Sequence, residues 1–385
     1  KNLSPDKINV STFKGEGELT SLELDEIVLT DLLELPLWLR LTSAWCNKVS
    51  FRVQWTRLKT VPIFISLDEV NVEVETCEEL RSMSVHQGLS NYGTSTKYNY
   101  INKVIDGMTI SVNAVIITFK SPAFRADVQI MRILVESKSP KWQKCDLTMT
   151  RCKDTAKGQV LIFKELEWQN LRLEACSTKD ENLPPLRLLT NKAKCRITIK
   201  KRISDCFVMG CKLLLILDDL LWVLTDSQLK AVLHFVDSLS GLVQKATEVT
   251  RTKKAARKLE MLPEYQAQVA QEARATEFNR REQIFAACDV VETSYHFWAK
   301  KIDLHLSDDA GDGRSCHPLL SKGCALRMLV HQLKVDCYPY HLAAGDRSHW
   351  ARLVFRSNNM HSWFSFESPC NYYSHFLLFL TKLLC

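Results

Sequence analysis

Four stretches of this chain hold residue types that could do chemistry. Gly15-Glu16-Gly17 resembles half of a phosphate-binding turn, in which backbone N–H groups cradle an anion. No third glycine follows, and Glu16 and Glu18 would repel phosphate, so a tightly packed strand start is expected there. Cys316-His317, Cys324, His331, Cys337 and His341 are donor types for zinc, yet the paired spacings of zinc sites are missing and no metal site is expected. Ser307-Asp308-Asp309-Ala310-Gly311-Asp312-Gly313 is rich in hard oxygen donors. It lacks the late bidentate glutamate of a calcium loop, and a solvated loop is the expectation. The basic runs Lys192–Arg202 and Arg251–Lys258 are the last group. In the first, Arg196, Thr198 and Lys200 share one face of a strand while Ile197 and Ile199 share the other, which is the pattern of a solvated outer face. Attraction to an anionic membrane is the next reading. Nucleic acid is not an expected partner, because no aromatic interleaving accompanies the charge.

None of H-E-x-x-H, G-x-S-x-G and G-x-x-x-x-G-K-S/T occurs. No catalytic residue is named, no cofactor is expected, and the chain is not expected to be an enzyme. Glycine supplies only 12 of 385 residues, which leaves little for glycine-rich nucleotide loops. Fourteen cysteines are scattered without any C-x-x-C, so free thiols in a reducing compartment are expected. Asn2-Leu3-Ser4 and Asn9-Val10-Ser11 match the glycosylation pattern, which is common by chance. The net charge is +7, and no run of 18 uncharged apolar residues exists that could form a membrane span. Phe376–Leu380 is the nearest candidate and is too short.

The elements that must position any site read mainly as strands. Alternation is strict over Val49–Trp55, Phe124–Ile130 and Lys301–Ser307. Shorter or phase-shifted alternation covers 63–74, 108–119, 195–200, 213–217 and 326–337. The phase slips by one at Asp68-Glu69 and at His331-Gln332, which predicts β-bulges that bend the sheet. Long connections are expected over 77–102, read as a flexible loop, and over 307–322. One helix is clear: Thr225-x-x-Gln228 forms a capping box, followed by an apolar stripe of Leu229, Val232, Leu233, Val236, Leu239 and Val243. A second helical piece is predicted over 27–39, and 251–288 reads as a peripheral helical insertion broken at Pro263. Trp55, Trp168, Trp222 and Trp298 are expected in core packing.

At least eight one-sided strands thus face one confident amphipathic helix. The apolar face must pack on a second sheet, close into a barrel, or hold an apolar ligand. The fold class that follows is mainly β with some α: an elongated, strongly curved antiparallel sheet forming an open apolar groove, braced by one long helix near 225–248.

The sequence also resembles a known family. Lys14-Gly15-Glu16-Gly17-Glu18-Leu19, Leu22-Glu23-Leu24 and Leu35-Pro36 are similar to the opening of the chorein motif. Cys46–Val49 and Gln54–Pro62, continuing to Val70, resemble its core. Leu217–Leu229 and Tyr338-Pro339-Tyr340-His341 are similar to the third branch of the bridge-like lipid transfer proteins. The resemblance implies repeats of five strands plus a crossing loop, with an apolar concave face that carries glycerophospholipids between membranes at contact sites. It implies a cytosolic protein peripherally associated with endosomal membranes, with endosomal trafficking proteins as partners. It also implies an amphipathic helix ahead of Lys1 that caps the groove.

On this reading the chain divides into a chorein-like segment (1–76), a loop (77–102), continuing groove (103–224), a helical region (225–289), further groove strands (290–341) and a C-terminal segment (342–385). Lipid would lie on Val49, Phe51, Val53, Ile63, Ile65, Leu67, Val70, Val72, Ile110, Val112, Val128, Ile130, Ile197, Ile199, Leu213, Leu215, Ile302 and Leu304. Their role is solvation of acyl chains, with headgroups at the open edge. The competing readings are a non-enzymatic scaffold or adaptor with a dry β-sandwich core, and a hydrolase or transferase acting on lipids.

Overall fold

The computed structural model describes residues 8–11, 13–32, 35–81, 98–155, 157–178, 185–190, 192–272, 280–309, 325–341, 343 and 346–355. Strands are β1 (Ile8–Ser11), β2 (Glu16–Glu23), β3 (Leu39–Arg52), β4 (Phe64–Thr76), β5 (Thr109–Lys120), β6 (Phe124–Ser137) and β7 (Arg151–Asp154). They continue with β8 (Gln159–Trp168), β9 (Asn170–Ser177), β10 (Leu186–Thr190), β11 (Ala193–Arg202), β12 (Val208–Thr225), β13 (Ser294–Ser307) and β14 (Ala325–Cys337). Helices are α1 (Glu26–Leu32), α2 (Tyr100–Gly107), α3 (Asp226–Glu272), α4 (Arg280–Cys288) and α5 (Arg347–Phe355).

All strands join one sheet, whose main path runs β1-β2-β3-β4-β5-β6-β8-β11-β12-β13-β14, with β7, β9 and β10 attached to its side. The path ends on β1 and β14 rather than closing on itself, and spans roughly 50 Å at the usual strand spacing. Pairing is antiparallel except at two junctions, β4 with β5 and β12 with β13, so the sheet is mixed. Each parallel junction requires a crossover, one through α2 and one through α3 and α4. Five path strands, β5, β6, β8, β11 and β12, lie between the two junctions.

The phase slips are rows of ladder gaps that cross several strands without shifting the register. They are therefore not the predicted two-against-one bulges; the ladder's register shifts lie at Leu41/Ser43 and Lys200/Lys201. Residues Ser21, Asn47, Asp68, Asn113 and Arg132 fall in gaps of the ladder on neighbouring strands, and Asp218, Lys300 and Gln332 form a second row. Ser21, Arg132 and Gln332 take left-handed φ values of 49°, 54° and 55°. Polar side chains tie the rows together. Asn47 and Asn113 donate to the two oxygens of Asp68 at 2.7 and 3.2 Å, and Lys300 lies 2.5 Å from Asp218. A one-residue slip shared by neighbouring strands keeps the apolar side chains on one face while the sheet bends.

Helix α3 begins at the expected capping box. Thr225 N–H donates to Gln228 Oε1 at 3.1 Å, and Gln228 N–H donates to Thr225 Oγ1 at 3.4 Å. Asp309, expected in a solvated loop, instead accepts from Ser227 N–H and Oγ–H at 3.0 and 2.7 Å, a carboxylate at the positive end of the helix. Ala231, Val232 and Phe235 bury against Phe124, Ala126, Ala175, Leu186, Leu224 and Leu304. Leu233 is 44% exposed and does not belong to the stripe, because a 3.6-residue period carries it past the packed edge.

Other expectations are corrected. The predicted helix over 27–39 is only Glu26–Leu32, since Pro36 and the start of β3 take over. Pro263 does not break α3, which continues to Glu272, at the cost of one internal hydrogen bond. The stretch after Arg251 is not peripheral: Ala255 and Leu262 bury against Tyr340, Ala343 and Trp350. Small apolar positions one to two turns apart suffice when the partner surface is aromatic. Trp55 is 58% exposed rather than in a core. Nine described cysteines are free thiols, but Cys337 is disulfide-bonded, because spacing along a sequence does not restrict which thiols a fold brings together. Phe376–Leu380, Asn2, Cys316, His317, Cys324 and the whole of 82–97 and 310–324 lie outside the described residues.

Candidate lipid-binding face

Register alone assigns the two faces of the sheet, because directly paired residues share a side. One cross-strand row runs Cys46, Val70, Val115, Ile130, Leu171; the neighbouring row runs Trp45, Asn71, Ile116, Gln129, Arg172. The first row is apolar throughout. The same face continues through Leu166, Cys195, Leu215, Phe297 and Val335.

The predicted lining residues fall on this face. Val49 pairs with Leu67, Phe51 with Ile65, and Ile65 and Leu67 pair with Ile110 and Val112. Beyond the first row of ladder gaps come Val70 and Val72, level with Val115 and Ile117, which pair with Ile130 and Val128. Ile197 and Leu213 pair directly, and Leu215 lies on the same side; Ile199 pairs with Cys211. Ile302 and Leu304 pair with Leu220 and Trp222 past the second row of ladder gaps. Val53 and Ile63 sit just outside the ladder ends; Val53 N–H donates to Gly15 O at 2.7 Å. Alternation read strand by strand missed Val115, Ile117, Ile133, Val135, Leu171, Leu173, Leu217, Leu220, Val330 and Leu333. Carrying the phase across each ladder gap would have found Val115, Ile117, Ile133, Val135 and Leu220.

Burial separates a covered core from an uncovered strip. Val53, Val112, Ile302 and Leu304 are buried, and the other predicted lining residues are only half-buried. Buried side chains form separate local clusters rather than one continuous core. Protein covers the apolar face where crossovers return over it. Tyr98, just before α2, packs on Val160 and Ile162, and the first turns of α3 pack on Phe124 and Leu304. The opposite face carries ion pairs such as Arg40–Glu75, Lys48–Glu18, Lys120–Glu73 and Arg327–Asp303. Hydrogen bonds from Arg327, opposed by burial and joined by His305, hold the Asp303 carboxyl well below the usual carboxylate range. The arrangement offers apolar area. Among the described residues no group of three His, Cys, Asp or Glu side chains could hold a metal ion, and no helix is long and apolar enough to cross a membrane.

Comparison with known proteins adds an independent line. A family model described as bridge-like lipid transfer protein family member 3A/B matches residues 1–366. The chain is 41% identical over 371 residues to bridge-like lipid transfer protein family member 3B of Xenopus laevis, covering 94% of this chain and 26% of that protein. It is 40% identical over 390 residues to the Homo sapiens 3B protein and 42% identical over 370 residues to the Homo sapiens 3A protein. The chain spans about a quarter of the length of these relatives. A solved structure, the crystal structure of sex pheromone staph-cAM373 precursor, superimposes with a TM-score of only 0.11 at 7% identity over 82% of this chain and 85% of that one.

Proposed function

The chain belongs to the bridge-like lipid transfer protein family 3A/B, and from that premise we propose that its apolar face is a groove that solvates the acyl chains of glycerophospholipids for transfer between membranes. The observation that carries this reading is the half-buried apolar strip, continuous across the strands of an unclosed sheet. Removing a methylene from water gains about 0.8 kcal/mol, so an acyl chain of about a dozen methylenes gains on the order of 10 kcal/mol on such a surface. An extended apolar strip fixes neither chain length nor headgroup, which suits bulk carriage better than selection. The chain's residues act by solvation rather than by bond-making. Work at membrane contact sites, peripheral association with endosomal membranes and endosomal trafficking partners are the settings we propose for the whole protein.

Organic extraction of the purified chain followed by mass spectrometry tests the reading. Several phospholipid molecules per chain are expected. A protein that co-purifies with none has its apolar face covered by protein, and the scaffold reading with a dry sandwich core replaces the groove. Turnover of labelled lipid by the purified chain would instead bring back the hydrolase or transferase reading.

A further inference from the structure

Beneath α2, at one end of the apolar face, the strands gather cations of which, among the described residues, Lys201 alone has a carboxylate partner. Lys164 alternates with Ile162 and Leu166 on β8 and pairs across the ladder with Ile197, which in turn pairs with Leu213. Arg151 and Lys153 on β7 pair with Ile162 and Val160, and Lys201 on β11 pairs with Val160 from the other side. Lys103 comes from α2.

One carboxylate enters this group, and it is already engaged. Asp106 accepts from Lys201 Nζ at 2.7 Å through one oxygen and from Tyr98 Oη at 2.9 Å through the other. Lys164 Nζ donates to the Met108 carbonyl at 2.9 Å, and an Arg151 Nη donates to the Lys103 carbonyl. Lys153 Nζ lies 5.6 Å from the centre of the Tyr98 ring. Arg151 Nε is buried with no hydrogen-bond partner. Among the described residues, Lys103, Arg151, Lys153 and Lys164 make no ion pair, and residues 82–97, which lead into α2, contain no Asp or Glu.

Burial weighs first on the cluster's ammonium groups, and neighbouring cations add to it. Burial, reinforced by Arg151 and Lys201 against the pull of Asp106, brings Lys164 down to about 8. Burial, with Lys103 and Arg151, lowers Lys153 as well. Gly107 makes room for the close approach: a Cβ there would sit 3.2 Å from an Arg151 Nη. Exposure is graded, from half-buried Lys164 to exposed Lys153, so a ligand can enter from solvent.

We propose that Lys103, Arg151, Lys153 and Lys164 form an anion recess that takes a phosphate group, presented by the headgroup of a lipid whose chains continue along Ile197 and Leu213. A phosphate supplies the acceptor that Arg151 Nε lacks and a counter-charge for Lys103, Lys153 and Lys164, and charge-assisted bonds of this kind are the strong ones. A lipid source is favoured over a free phosphate because Lys164 and the apolar strip share one cross-strand row. The lipid half of the proposal rests on the groove reading; the phosphate half does not.

The test uses the full chain as wild type, as Lys153→Gln, and as Lys153→Gln with Lys164→Met, each checked for folding by circular dichroism. Lys153 is exposed, so the single variant keeps the test informative if the double variant does not fold. Each protein is loaded from vesicles of phosphatidylcholine mixed with phosphatidic acid, and the extracted lipid classes are compared; separately, inorganic phosphate is titrated calorimetrically. We expect wild type to enrich the anionic lipid, and the ratio of anionic to zwitterionic lipid to fall about tenfold in the double variant while total lipid is kept. Phosphate binding that is lost in the variants, in a protein that extracts no phospholipid, would keep the recess, assign it a soluble phosphate and refute the groove. An unchanged lipid ratio together with unchanged or undetectable phosphate binding overturns the recess, and phospholipid still present in those extracts leaves the groove standing.

Discussion

Phe235 offers the sharpest energetic test of how α3 is held. Its ring is 6% exposed and stacks on Phe124 with centroids 4.4 Å apart and planes at 24°. Ala126, Ala175, Leu186, Leu224 and Leu304 complete the surroundings, so truncation to alanine leaves a cavity walled by strands that the ladder holds in place. Phe→Ala changes in such sites cost about 3–5 kcal/mol, a large part of the about 5–15 kcal/mol that holds a domain folded. Leu233, two residues earlier and 44% exposed, is the internal control, and Leu233→Ala should change stability by less than about 0.5 kcal/mol. Urea unfolding followed by far-ultraviolet circular dichroism measures both variants against wild type. A loss below about 1 kcal/mol for Phe235→Ala would refute the packing argument. If that variant also lost binding to liposomes in flotation, the first turns of α3 would be a membrane contact rather than a brace.

Three further outcomes follow. Asp309→Ala removes the carboxylate that receives two hydrogen bonds at the start of α3 and should cost about 1 kcal/mol by thermal unfolding at neutral pH. Burial works against ionisation of Asp309, but hydrogen bonds from Thr225 and Ser227 outweigh it and its carboxyl sits below the usual value. Its contribution is therefore present above the unfolded carboxylate pKa and is lost as the pH falls through the lower folded one, so wild type and variant should converge in acid. Gly15→Ala should be strongly destabilising, because φ is +67° and the new Cβ would lie 2.1 Å from the Val53 carbonyl oxygen; thermal unfolding by no more than a few tenths of a kcal/mol below wild type would contradict the geometry. Ile65→Asp combined with Val128→Asp places charge on half-buried positions of the apolar face, and the variant should stay folded by circular dichroism yet extract no phospholipid. Gross unfolding of that double variant would speak for a dry core.

Much of this architecture is legible in the sequence because period two is a local property. The rows of ladder gaps show as slips at Asp68-Glu69 and His331-Gln332, and the structure leaves Asp68 and Gln332 out of the ladder, though in step on both strands rather than as two-against-one bulges. The α3 start shows as a capping box, and both of its hydrogen bonds form. What stays hidden is whatever depends on distant partners. The parallel junctions at β4–β5 and β12–β13 are choices of strand neighbour, which alternation does not encode. Pro263 reads as a stop, yet α3 passes through it, because packing of Ala255 and Leu262 against Tyr340 and Trp350 holds the helix on course. The phosphate recess is built from positions 103, 151, 153 and 164, which no local motif connects; register on β7 and β8 and the return of α2 bring them together.

One face of the sheet, and not the other, is expected to hold lipid. Photoreactive benzoylphenylalanine placed singly at Val70, Val115 or Ile130 samples one cross-strand row, and at Asn71, Ile116 or Gln129 the row beside it, one residue away on the opposite face. After loading with phospholipid and irradiation, intact mass measurement should find lipid adducts at the first three positions and none at the second three. Equal labelling of both rows, or adducts on neither, would contradict the account.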